Sequence, residues 1–444
     1  MSVVDDIGRN LLLLCHRIPY PPDKGDKIRS FRWMTALAAR YRLYLAAFVD
    51  DADDWQYAPR LREICDEVCL VPLHARRAKL RSVPALFTGL PLTVTYYRDA
   101  RMAASVADLM QRQRIDRIVV FSSAMAQYAI GPDSDPIRRV IDFVDVDADK
   151  WQQYAERTRA PMAWVYRREA RRLLAYDAKV ARAFDVSLFV SRVEVDCFRS
   201  LAGQHWETDA ALTLDAVPGQ ISRQIPDEKA GRIPVLEQIA NGVDHAFFAP
   251  DASRASPYPA GRPAIVFTGA MDYWPNVDAV RWFVEQVWPR LRSWEPRVML
   301  YVVGSRPGAE IKTLACDNVV VTGRVVDVRP FLQYAAAVIA PMRIARGIQN
   351  KVLEGMAMAR PVVLTSLALE GIDAVHKQSV LVADDGEEFA ERVFEVLQGR
   401  HANLATEARQ LVLQYYPWSR ATARFVALVD GSGTDSATRS SDNG

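Results

Sequence analysis

Short apolar runs recur along this chain, and each is followed by a longer stretch with helical periodicity. A first series comprises Asn10–Cys15, Tyr41–Val49, Val68–Leu73, Arg114–Phe121, Arg139–Val144 and Val186–Val190. A second comprises Ala264–Thr268, Val298–Val303, Val319–Thr322, Ala336–Ala340, Pro361–Thr365 and Ser379–Val382. Runs such as N-L-L-L-L-C are continuous rather than alternating, which marks strands buried on both faces. Strands alternating with helices at this spacing build parallel sheets covered by helices on either side. At 444 residues the chain exceeds a single typical core. The expected fold class is therefore α/β, with two doubly wound, Rossmann-like domains facing a cleft.

Helices are predicted from about Asp26 to Arg40, over the Arg-rich Ala148–Phe184, over Asn276–Val287 and over Glu387–Leu397. Ser191 is placed to cap another over Val193–Leu201. Gly203–Pro234 is weakly patterned and reads as an irregular insertion in a first domain spanning 1–245. I-A-N-G-V-D (Ile239–Asp244) and the Pro/Ser/Ala-rich Pro250–Pro263 mark a boundary and linker, ahead of a second domain over 246–415. A C-terminal helix over 416–430 is expected to pack back on the first domain, and the polar tail 431–444 to be disordered.

Half the residues are hydrophobic, a quarter are charged and the net charge is +2, so no nucleic-acid footprint appears. The charge is uneven, however. Ala75–Arg117 and Lys150–Arg182 each hold nine Lys/Arg against three acids. Such windows either dock on anionic headgroups or are solvated helix faces. Five widely spaced cysteines (15, 65, 69, 197 and 316), without C-x-x-C, argue for a reducing compartment. The opening M-S-V-V-D-D-I-G-R-N is acidic and L-L-L-L-C is too short for a signal peptide. No run approaches the ~20 residues of a spanning helix. A cytoplasmic protein with peripheral contact on the inner face of the plasma membrane is expected.

The stretch Ile339–Pro361, I-A-P-M-R-I-A-R-G-I-Q-N-K-V-L-E-G-M-A-M-A-R-P, leads a strand into a polar loop with Arg343, Arg346, Gly347, Gln349 and Asn350. A helix follows with Lys351 and Glu354 in its first turn. Backbone N–H groups at a helix start, a permissive Gly and a cation suit anion capture. Lys351 and Glu354 share a face, where one meets a phosphate and the other a sugar hydroxyl. An ordinary salt-bridged helix start is the alternative.

Gly269, Gly304, Gly323 and Gly347 all follow strands in the second domain, where an open α/β sheet binds ligands. In the first domain, P-Y-P-P-D-K-G-D-K-I-R lacks G-x-G-x-x-G but places Gly25 among Lys24, Lys27 and Arg29. It reads either as a phosphate- or acceptor-reaching loop or as a stiff turn capped by Asp26. D-F-V-D-V-D-A-D-K-W fails as a calcium loop because Lys150 stands where Gly is required. It leaves Asp145 and Asp147 either as carboxylates at a strand end or as helix-dipole acids. The six histidines show no metal spacing, so no metal is expected. His16, directly after the first strand, is either a ligand-facing or a core residue.

These segments together resemble a glycosyltransferase of family 4 in the GT-B arrangement, and more narrowly the sugar transferases that accompany exosortase (PEP-CTERM) exopolysaccharide loci. The resemblance is carried by H-R-I-P-Y-P-P-D-K-G-D-K-I-R-S-F, D-F-V-D-V-D-A-D-K-W, S-L-F-V-S-R-V-E-V-D, I-A-N-G-V-D, G-A-M-D-Y-W-P-N-V-D-A-V, G-R-V-V-D-V-R-P-F and R-I-A-R-G-I-Q-N-K-V-L-E-G-M-A. It implies donor binding in the C-terminal domain and acceptor binding in the N-terminal one. Glu354 matches the second Glu of the family's E-x7-E motif, which holds the donor ribose. Lys351 and the Gly347–Ile348 backbone match the diphosphate and sugar loop. Gly25 matches the glycine loop near the donor phosphates, and Gly323, Arg324 and Val325 match the strand end that meets the nucleobase. Two positions depart from the pattern: Arg346 replaces the first Glu, and Ala270 replaces an Arg after Gly269. Arg343 or Arg346 is then expected to supply the lost positive charge.

The expected activity is retaining, metal-independent transfer from a UDP- or GDP-sugar to a saccharide or polyprenyl-linked acceptor, with no other cofactor. Lys351, Glu354 and Asp145 are the catalytic candidates. The donor site adds Gly25, Gly269, Gly323, Arg324, Val325, Arg343, Arg346, Gly347, Ile348, Gln349 and Asn350. His16, Lys24, Lys27, Arg29, Asp147 and Lys150 are assigned to the acceptor side. A nucleotide-sugar 2-epimerase, with His16 and the Asp145 group as acid and base, and an inactive saccharide-binding relative are the competing readings.

Overall fold

The structure is a computed structural model that describes residues 8–130, 137–208, 213–214, 223–224, 233–345 and 347–432. The chain divides into two compact units, residues 1–239 with 422–444, and residues 240–421. Arg346, most of the proposed insertion and the end of the tail lie outside the described residues.

The first unit is built on the strands β1 (Asn10–Cys15), β2 (Arg42–Val49), β3 (Glu67–Pro72), β4 (Ile115–Phe121), β5 (Arg138–Val144) and β6 (Val186–Phe189). After a short antiparallel pair, β7 (Thr213–Leu214) and β8 (Arg223–Gln224), the strand β9 (Leu236–Gln238) completes the sheet. The order is β3-β2-β1-β4-β5-β6-β9, and every pairing in it is parallel. The second unit contains β10 (Ala264–Thr268), β11 (Met299–Val303), β12 (Val319–Gly323), β13 (Ala337–Ala340), β14 (Val362–Leu364) and β15 (Leu381–Val382). Their order is β12-β11-β10-β13-β14-β15, again parallel throughout. Both sheets thus reverse direction beside their first strand, between β1 and β4 and between β10 and β13. Loops at the carboxyl ends of those strands form the crevice of a doubly wound sheet.

Apolar strands explain the burial: Leu11 to Leu14 and Ile265 to Phe267 are shielded on both faces. A fully buried ion pair sits in the first core. Arg29 is fully buried and donates to both carboxylate oxygens of Asp142, at 2.7 and 3.3 Å, and to the carbonyl of Ile239 at 2.8 Å. Trp33 Nε1 donates to the same carboxylate at 2.6 Å, and its ring stacks on Phe425 with centroids 4.2 Å apart. The last helix, Trp418–Asp430, ends in this unit, where Arg138 and Arg117 donate to the carbonyls of Leu428 and Val429.

Several boundaries differ from the sequence reading. The stretch expected as one helix from Ala148 to Phe184 is two, Asp147–Arg157 and Met162–Ala183. The break falls at Pro161, which disfavours α conformation in the residue before it. Ser191 does cap, its hydroxyl accepting from Glu194 N at 3.2 Å, but the helix runs to Thr208 rather than stopping at Leu201. The helix expected over Asn276–Val287 begins at Trp274, widens into a π turn at Phe283–Val287 and continues as Trp288–Trp294. Strand β9 was hidden because three residues carry no readable period.

Candidate functional site

In the second unit the carboxyl ends of β10, β11 and β12 are stitched through their glycines. Gly269 N donates to Val303 O at 3.0 Å and Gly304 N donates to Gly323 O at 3.2 Å. The approach is close: a Cβ on Gly304 would lie 1.6 Å from the Gly269 carbonyl oxygen. Gly323 adopts φ +70°, a left-handed turn that glycine enters without penalty.

Helix Asn350–Ala357 follows β13 and packs close to the sheet, because a Cβ on Gly355 would come within 3.1 Å of Val338. Its first turn turns Lys351 inward. Lys351 is 8% exposed, and its ammonium donates to Asn276 Oδ1 at 2.6 Å and contacts Met342 Sδ at 3.6 Å. It also lies 4.2 Å from the centre of the Phe267 ring, a cation–π geometry. Asn276 is held in turn, its Nδ2 donating to Ala270 O at 2.9 Å. Below the loop, the buried Thr365 hydroxyl donates to Met342 O at 2.6 Å and fixes the chain leaving β13.

Burial pulls Lys351 down to about 7, with the Glu354 carboxylate opposing the shift. Burial likewise pushes Glu354 up to about 7, with Lys351 opposing it. Among the described residues the Glu354 carboxylate has no hydrogen bond or ion pair of its own. The half-buried Glu354 carboxyl group lies one helical turn from the buried Lys351 ammonium and interacts with it electrostatically. Such groups mark a candidate ligand site.

The other donor-side candidates fall around this pair or apart from it. Gly347 has φ +63°, Ile348 is buried, and Gln349 precedes the helix with its Nε2 near Gly347 O at 3.4 Å. Asn350 Oδ1 accepts from Asn241 at 3.2 Å. Arg343 is not a loose cation, because its guanidinium pairs with both carboxylate oxygens of Asp278. Arg324 is exposed after β12 and Val325 half-buried. Gly25 belongs to the first unit, at the exposed start of helix Gly25–Ala38.

In the first unit the acceptor-side candidates separate into three groups. His16, at the end of β1, stacks on Phe121 and approaches Asp26 at 3.6 Å. Burial favours a protonated Asp26, but His16 and Arg17, the latter at 2.8 Å, hold its carboxyl well below the usual range. Lys150 bridges Asp145 and Asp147, at 2.8 and 3.0 Å. That turn is strained, since Val144 sits at φ +68° where the register with β6 slips. Lys27 and Arg29 depart from the acceptor-side expectation: Lys27 is buried against Asp54 at 2.6 Å and Arg29 is consumed by Asp142. Lys24 stands half-buried just before its helix.

The sequence reading assigned no role to Asn276, Phe267, Thr365 or Asp278. Asn276 carried a local signal, following Pro275 at a helix start, but its partner is far away in sequence.

Residues 262–399 match the family model described as glycosyl transferases group 1. No curated protein sequence matches the chain. Among solved structures, the fold resembles a sucrose-phosphate synthase from Thermosynechococcus elongatus at TM-score 0.65 and 15% identity, covering 95% of this chain and 98% of that one. It also resembles a glycosyltransferase from Rickettsia africae at TM-score 0.60 and 12% identity, covering 96% and 100%. HepE from Anabaena, solved in complex with UDP-glucose, matches at TM-score 0.61 and 13% identity, covering 95% and 99%. Identities this low speak for the fold. The chain has the two parallel-sheet domains of GT-B glycosyltransferases, and residues 262–399, which contain Lys351 and Glu354, match the glycosyl transferases group 1.

Proposed function

We propose that this chain is a glycosyltransferase that moves a sugar from a nucleoside diphosphate donor, UDP- or GDP-linked, to a saccharide or polyprenyl-linked acceptor. The observation that carries the reading is Lys351: a cation buried at a helix start, beside the topological switch of the second sheet. Phosphate oxygens are the partners such a cation and the neighbouring backbone N–H groups suit. The match of this same segment to group 1 glycosyl transferases supports the assignment. So does the fold shared with a protein that holds UDP-glucose.

In this reading Lys351 and the helix-start N–H groups meet the diphosphate, while Glu354 accepts the ribose hydroxyls. The acceptor hydroxyl oxygen attacks the anomeric carbon and the carbon–oxygen bond to the β-phosphate breaks. The hydroxyl proton passes to the departing phosphate on the same face, so configuration is retained. Negative charge growing on the β-phosphate is stabilised by fixed dipoles and the ammonium. Asp145, paired with Lys150, belongs with the acceptor side. Family 4 membership, metal independence and a place in exosortase-type exopolysaccharide assembly, with the enzyme on the cytoplasmic membrane face, complete the proposal.

The test is to incubate the protein with each nucleotide sugar, with and without a saccharide acceptor, and follow the anomeric protons by NMR. Transfer with retention is expected only when acceptor is present. An inverted product refutes the mechanism, and conversion of the donor alone favours epimerisation.

A further inference from the structure

The two basic windows play no part in the donor site, yet the first unit brings them together. Helix Ala75–Ser82 exposes Arg76, Arg77, Lys79 and Arg81, and among them Leu80 is 73% exposed. The turn Val83–Phe87 that follows leaves Val83 half exposed and Phe87 88% exposed. This turn is not loose. The buried Arg168, from helix Met162–Ala183, donates to the carbonyls of Leu86 at 3.0 Å and Leu90 at 3.2 Å, and also to those of Ala85 and Thr88. Glu169 beside it accepts from Leu92 N and Thr93 N at 2.7 and 2.8 Å.

The helix that holds the turn contributes its own charge and apolar surface. Arg167, Arg171 and Arg172 are exposed on it, and Met162 and Trp164 stand exposed in its first turn. Trp164 lies one turn before Arg168 and therefore shares its face. Among the described residues Arg76, Arg77, Lys79, Arg167, Arg171 and Arg172 have no ion-pair partner, whereas Arg81 approaches Asp99 at 3.8 Å.

Single exposed apolar side chains need no explanation. A braced turn that projects Leu80, Val83 and Phe87 beside six unpaired cations is a different object. We infer that this surface of the first unit docks on a lipid bilayer with anionic headgroups. Leu80, Val83, Phe87 and Trp164 enter the headgroup–acyl boundary, and the arginines and Lys79 pair with the headgroups. Cationic side chains around apolar and indole groups are the composition of an interfacial anchor. A soluble polyanion, nucleic acid or acidic protein, would satisfy the arginines but give the exposed Leu80 and Phe87 no reason to project.

The inference gives a surface to the membrane-face placement proposed above but does not rest on the transfer reaction, and its test uses no donor, so either can fail without the other. The full chain is sedimented with phosphatidylcholine vesicles, with and without phosphatidylglycerol, over a salt series. Binding is expected only with the anionic lipid, weakening as salt rises. Arg76→Gln with Arg77→Gln is expected to lower partitioning about 25-fold, since each cation near an anionic surface contributes about five-fold. Leu80→Ser with Phe87→Ser is expected to lower it at least as far, with the far-ultraviolet spectrum and melting temperature unchanged because both side chains are exposed. Trp164→Phe should remove the fluorescence blue shift that vesicles induce. No anionic-lipid binding overturns the inference. So does binding that falls with the arginine variants but is untouched by the Leu80 and Phe87 variants, which would assign the surface to a soluble polyanion.

Discussion

The ammonium of Lys351 and the amide oxygen of Asn276 are 2.6 Å apart, and the amide nitrogen of Asn276 is fixed by the carbonyl of Ala270. Gly269 makes room for this arrangement, since a Cβ there would come within 2.7 Å of Asn276 Nδ2. Replacing Asn276 with leucine should cost about 2 kcal/mol in urea unfolding, because a buried cation loses its acceptor. Gly304→Ala should be worse, its Cβ meeting backbone rather than a side chain that can turn away. A stability equal to wild type in either variant would contradict the geometry.

Lys351→Met should separate stability from binding. Removing a buried charge relieves its desolvation but leaves the buried Asn276 Oδ1 without its donor, so the melting temperature is expected to stay near that of the wild type. Nucleoside diphosphate affinity should fall at least ten-fold by calorimetry, about 1.4 kcal/mol. An affinity unchanged by Lys351→Met would remove the phosphate from that site.

The shared displacement of Lys351 and Glu354 toward 7 gives a pH signature. Glu354 titrates in the folded protein above its ordinary value of 4.5, so its contribution is fully present below 4.5 and is lost as pH rises through about 7. Lys351 titrates below its ordinary 10.5, so its penalty is complete below about 7 and is relieved as pH climbs toward 10.5. The pair therefore contributes least near pH 7. Glu354→Gln should abolish the lower arm and stabilise the protein above pH 7 by on the order of 1 kcal/mol. Urea titrations across that range read it directly.

Ligand binding should reverse the Lys351 shift. Around pH 7 the empty site holds Lys351 only partly protonated, and an arriving diphosphate favours the ammonium. Titrating UDP in two buffers of different ionisation enthalpy should reveal proton uptake that is absent in Lys351→Met. Equal apparent enthalpies in the two buffers would contradict it.

Arg29 and Asp142 belong to the first core. Asp142→Asn leaves a buried guanidinium uncompensated and should cost about 3 to 5 kcal/mol. The nucleotide response of the folded fraction should be unchanged.

Much of this architecture was legible because it rests on local pattern. Continuous apolar runs give β1 and β10, and their alternation with helices gives two parallel sheets. The glycines at 269, 304 and 323 were legible at strand ends, and Lys351 and Glu354 on one helix, for the same reason. What was not legible depends on distant partners. Lys27 and Arg29 read as cations in a glycine loop, but Asp54 and Asp142 bury them, and those partners arrive from other strands and turns. Arg343 read as a spare positive charge until Asp278, far back in the chain, proved to hold it.

Calorimetric titration of the wild type, Lys351→Met and Glu354→Ala with UDP-glucose and GDP-mannose tests the central claim most directly. At least one nucleotide sugar should bind the wild type, and at 100 times its Kd should stabilise it by about 2.7 kcal/mol. Both variants should lose that response while remaining folded. A wild type that binds neither a UDP- nor a GDP-sugar, or variants that bind as it does, would contradict the assignment of this site.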